Sequence, residues 1–85
     1  MTERYCIITF NSTHTAIHTE QTLLAEGFKV RLIPVPTQIT ADCGLALRFE
    51  EKDNASIRKR MPELPAEAFY TVLREGRRKN VTPMG

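Results

Sequence analysis

Pro34-Val-Pro-Thr-Gln-Ile-Thr-Ala-Asp-Cys43-Gly44-Leu-Ala-Leu-Arg-Phe49 decides how the chain is read. Pro34 and Pro36 each fix φ and remove a backbone donor, so a strand arriving from the N-terminal side stops there. Leu45, Leu47 and Phe49 alternate with Ala46 and Arg48, the period-two pattern of a strand with one buried face. The stretch is the end of one strand, a constrained turn and the next strand. Cys43 lies in the turn. Gly44, beside it, leaves room for another chain or ligand to approach the sulfur.

Working outward toward the N-terminus, Phe28-Lys-Val-Arg-Leu-Ile-Pro-Val35 is the arriving strand. Phe28, Val30 and Leu32 face one way, Lys29 and Arg31 the other. A helix from Thr13 to Glu26 precedes it, with Ser12 as N-cap and Gly27 at the left-handed C-cap position. Its threonines make it a mediocre helix by propensity, so packing against a sheet must hold it. Tyr5-Cys-Ile-Ile-Thr-Phe10 is the first strand, apolar at nearly every position, with Cys6 a small buried hydrophobe. Toward the C-terminus, Asp53 or Asn54 caps a second helix through Met61, closed by Pro62 and Pro65. Ala68-Phe-Tyr-Thr-Val-Leu-Arg74 is the fourth strand. The division is one domain over 1–75 and a flexible basic tail over 76–85.

The element order is β-α-β-β-α-β, the split β-α-β plan of ferredoxin-like folds. Right-handed crossovers predict an α+β sandwich: a four-stranded antiparallel sheet in the order 4-1-3-2, with both helices on one face. The alternative is an open α+β layer with a missing or swapped edge strand.

Bulk properties narrow the function. Eighty-five residues make one small domain, for which a homodimer is compatible. A chain 41% hydrophobic and 26% charged is globular, not disordered. A net charge of +2 does not by itself imply nucleic acid. Strand three also offers Gly44, Ala46 and Arg48 where an RRM-like sheet needs exposed aromatics. No apolar run is long enough to span a membrane, and the N-terminus lacks a signal-peptide pattern, so a cytoplasmic location is expected. Two cysteines without CxxC spacing give no disulfide framework and no zinc site. His14 and His18, four apart on a helix, lack a third ligand, so no metal is expected. No Gly-rich phosphate loop or nucleophile–base pair is present, so neither a cofactor nor independent catalysis is expected. Arg74, Arg77, Arg78 and Lys79 read as a solvated tail or as a contact for an acidic partner.

The predicted topology places the C-terminal ends of strands one and two at the same edge. The helix start, Asn11 to His14, should therefore meet the loop carrying Cys43. The unpaired N–H groups of Ser12, Thr13 and their neighbours carry partial positive charge and would favour a thiolate. A protonated His14 acts in the same direction, and Asp42 opposes it. Cys43 shares parity with Leu45, Leu47 and Phe49, which places it on the helix-facing side at the sheet's rim. Arg31 and Arg48 share the opposite face, either as an anion-binding or dimer-contact patch or as solvated strand arginines. A cysteine that merely fills space is the alternative for Cys43.

Four segments resemble one family of small bacterial proteins, the selenium/sulfur carrier protein-like family. They are Phe10-Asn-Ser-Thr-His14, the mid-helix acid Glu20, Val30-Arg-Leu-Ile-Pro-Val-Pro36, and Ala41-Asp-Cys43-Gly44-Leu-Ala-Leu-Arg-Phe49. The resemblance covers Tyr5 to Phe49 and is most specific in Cys43-Gly-Leu-Ala-Leu-Arg48. Asp42 stands where the family pattern has a hydroxyl residue. The resemblance implies that Cys43 carries sulfur or selenium as a persulfide or perselenide between donor and acceptor proteins. The other reading is a non-enzymatic structural or regulatory interaction domain in which Cys43 is only structural.

Overall fold

The computed structural model describes residues 2–41, 43–60, 63 and 65–84. The chain runs β1 (Thr2–Thr9), α1 (Thr13–Ala25), β2 (Val30–Pro34) and β3 (Leu45–Glu50). A 3-10 turn at Glu51–Asp53 leads into α2 (Asn54–Arg60), followed by β4 (Ala68–Glu75) and β5 (Arg78–Pro83). All strand pairs are antiparallel, in the order β2-β3-β1-β4-β5. The expected order 4-1-3-2 is contained in this sheet. The expectation of four strands is corrected to five, because Arg78–Pro83, expected within a flexible tail, pairs with β4.

The physical reason is a tight turn. Glu75 and Arg78 are cross-strand partners, so Gly76 and Arg77 form a two-residue loop. Gly76 has φ +61, and no described non-glycine residue has positive φ. That is the type II′ pattern, whose twist matches the flanking strands. Val81 then lies opposite Val72, and the Met84 N–H donates to the Phe69 carbonyl at 2.9 Å.

Period-two alternation divides the sheet's side chains between two apolar layers. Cys6, Ile8, Leu47 and Phe49 face the helices and pack with Ala16 and Leu23 of α1 and Ile57 of α2. Both helices therefore cover one face, as predicted. Tyr5, Ile7, Ala46 and Val72 form the second layer, with Ile33, Val35, Ile39 and Val81 packed against it. Two of these, Val35 and Ile39, belong to the β2–β3 connection, which crosses that face. Gln38 Nε2 donates to the Lys79 carbonyl at 3.2 Å and ties the connection to β5.

The ends of α1 are defined by specific hydrogen bonds. Ser12 is extended, and its hydroxyl accepts the Thr15 N–H at 3.2 Å. At the other end Gly27 (φ +92) donates to the Leu24 carbonyl and Phe28 to the Leu23 carbonyl, a Schellman pair. Glu20, in mid-helix, accepts the Leu32 N–H through Oε2 at 3.0 Å. A helix carboxylate thus closes an outward-facing donor on the edge strand β2. The Arg60 guanidinium forks onto Glu26, with its Nε–H at 2.8 Å, and also pairs with Glu63, clamping the helix ends together. No described helix is long and apolar enough to cross a membrane.

Candidate functional site

β2 delivers the chain to the sheet edge at Pro34, and the Val35 N–H donates to the Gly44 carbonyl at 3.1 Å. This bond holds the two ends of the connection together and places Cys43 at the start of β3. β1 delivers the chain to the same end, where Phe10 is buried and Ser12 opens α1. Two segments distant in sequence meet there as the topology requires. Thr13 Oγ1, on the first residue of α1, lies 3.7 Å from Cys43 Sγ. The Leu45 N–H donates to the same sulfur at 3.4 Å. A backbone donor and a hydroxyl at a helix start therefore converge on one thiol, a setting able to solvate a negative sulfur.

The thiol is sheltered. Cys43 is 3% exposed and packs in the layer beneath the helices, the side its parity predicted. Gly44 beside it is exposed, and a Cβ added there would meet nothing within 4 Å. Internal packing therefore does not require a glycine at 44.

The other predicted residues divide. Ser12 caps the helix and Thr13 contacts the sulfur. His14 is exposed, and no hydrogen bond links it to Cys43. Asp42 lies outside the described residues. Arg31 and Arg48 are direct cross-strand partners on the far face. Like charges placed opposite each other repel, and the repulsion is relieved by Glu3. Arg48 Nη2 donates to Glu3 Oε2 at 2.8 Å, and its guanidinium lies 3.8 Å from the Tyr5 ring centroid. The bond from Arg48, and then its charge, hold the Glu3 carboxyl below the usual glutamate range. The Leu45 N–H was missed by the sequence reading. The signal for it was the turn itself, since a residue two after the cysteine and opening a strand presents its N–H back to the sulfur. Among the described residues no group of three His, Cys, Asp or Glu side chains could hold a metal ion.

The structure is thus an α+β fold with an antiparallel sheet, two helices on one face and a buried thiol beside a helix start. The chain belongs to the family described as "Putative Se/S carrier protein-like", which matches residues 5–71. That span includes both cysteines, α1, the Cys43 turn and the first half of β4, and it ends before β5. No curated protein and no solved structure shows significant similarity to the chain.

Proposed function

We propose that this chain is a sulfur or selenium carrier, with the chalcogen held on Cys43 between a donor and an acceptor protein. The convergence of the Leu45 N–H and Thr13 Oγ1 on Cys43 Sγ carries the reading, within a family described as "Putative Se/S carrier protein-like". In the loading step the Cys43 thiolate attacks the terminal sulfur of a donor persulfide. The new S–S bond forms as the donor's S–S bond breaks, and the donor cysteine leaves as a thiolate. Cys43 then holds a persulfide, and the reverse chemistry passes the sulfur to an acceptor thiolate with no net redox change. The two hydrogen-bond donors stabilise the anionic sulfur. Gly44, exposed beside the sulfur, is the point of partner docking on this reading. Cys43 is free, and this reading places the carrier in a reducing cytosol, which would keep it so.

Intact mass after incubation with a persulfide donor tests the reading. Wild type and Cys6→Ser gain one sulfur, and Cys43→Ser gains none. Equal loading of wild type and Cys43→Ser removes the carrier site from Cys43.

The burial of Cys43 favours a second reading, an interaction domain in which this side chain completes the core. The two diverge in thiol reactivity at neutral pH. A carrier thiol reacts faster than a free model thiol, and a space-filling one reacts more slowly.

A further inference from the structure

The sheet face turned away from the helices carries a cleft of about 440 Å³. Its floor is apolar, with Tyr5, Ile33 and Val35, and its rim is cationic, with Arg48, Arg74, Arg77 and Lys79. No carboxylate lines it among the described residues. We infer that this cleft binds a phosphate-bearing small molecule, gripped by these four cations and seated on the apolar floor.

Charge sets the ligand class. Four cations face one small volume, and the nearest compensating anion is Glu3, which reaches Arg48 at 2.8 Å and Arg74 at 3.8 Å from the side. Arg77 and Lys79 have no ion-pair partner among the described residues. A single carboxylate would neutralise one charge of the four. A phosphate group brings about two negative charges at neutral pH and accepts guanidinium forks in two directions. Size points the same way, because the volume falls within the roughly 300–1,000 Å³ of small-molecule sites.

The site is also built. The wall formed by the β2–β3 connection is fixed by the Gln38–Lys79 bond and by the Ile39 N–H donating to the Pro36 carbonyl at 3.0 Å. Arg48 is held over the Tyr5 ring, so it need not be ordered on binding. Arg74, Arg77 and Lys79 lie beyond the family-matched span. It is separate from Cys43, which lies on the helix side of the same sheet.

Calorimetric titration of the full chain at physiological ionic strength tests this, with pyrophosphate and adenosine monophosphate as probes. Succinate and a hexaglutamate peptide are the carboxylate comparisons. Pyrophosphate should bind saturably and more tightly than either carboxylate probe, and amide resonances of Gln38, Arg77 and Lys79 should shift. The double variant Arg77→Glu/Lys79→Glu should weaken pyrophosphate about tenfold or more with its thermal midpoint retained, since both side chains are exposed. Glu3→Gln should tighten it, because Arg48 and Arg74 lose their internal competitor. Cys43→Ser should bind as wild type does, so this outcome is independent of sulfur loading. Absence of saturable binding, unchanged binding in the double variant, or a tighter complex with hexaglutamate would each overturn the assignment.

Discussion

Cys6 and Cys43 are both buried and both free, yet their surroundings differ. Cys6 sits in mid-sheet between Phe49 of β3 and Thr71 of β4. Burial, and then the nearby Glu51 charge, push its thiol above the ordinary value of 9.0. As pH rises past 9.0 the unfolded chain releases this proton first, while the folded chain keeps it. The unfolded state then binds fewer protons, so stability is full below 9.0 and falls as pH climbs toward the folded value. Urea midpoints measured across this alkaline range should decline for wild type and decline less for Cys6→Ala. Parallel slopes for the two proteins would remove Cys6 from the account. The contrast between the thiols was legible in outline: a cysteine in an unbroken apolar run reads as core, and one between Pro36 and Gly44 reads as a turn residue. The depth of Cys43 was not, because parity gives the face of a strand but not how far a helix end overhangs it.

Among the elements, α1 shows how local signals and tertiary contacts share the work. Ser12 and Gly27 mark its ends in sequence and in structure. Glu20 was visible only as a family feature, and its use emerged with the sheet order, because the fold makes β2 an edge strand. Glu20→Ala should leave the Leu32 N–H without this acceptor and cost about 1–2 kcal/mol in chemical denaturation. Glu20→Gln should recover most of that loss, since an amide oxygen can still accept. A null effect of the alanine variant would show that water replaces the carboxylate without penalty. β5 is the converse case. Glu75-Gly76-Arg77-Arg78 carries a glycine at the position a type II′ turn needs, but four basic residues around it suggested a solvated end. Val81 is the lone apolar residue between Gly76 and Pro83, too little alternation to mark a strand. Pairing with Tyr70–Glu75 of β4 supplies what the pattern lacks.

At the scale of the molecule, β5 closes the sheet and carries part of the second apolar layer. A chain truncated after Arg77 would uncover Val72, lose the Val81 and Met84 contacts and leave β4 as a bare edge. Thermal unfolding should show a loss of about 2 kcal/mol or more, with aggregation above the transition. An unchanged midpoint would make β5 an ornament of the fold. The same truncation removes Lys79 from the rim of the cleft.

The two sheet margins are closed in different ways. On one, the Glu20 carboxylate occupies a main-chain donor and Pro34 withholds another; on the other, consecutive cations and Pro83 discourage pairing. Strand addition is the form of recognition least sensitive to sequence, since main-chain groups are common to all polypeptides. With that route guarded at both margins, side chains and shape are what remain for a partner of this chain to recognise. On the carrier reading proposed above, an incorrect acceptor would be refused at docking.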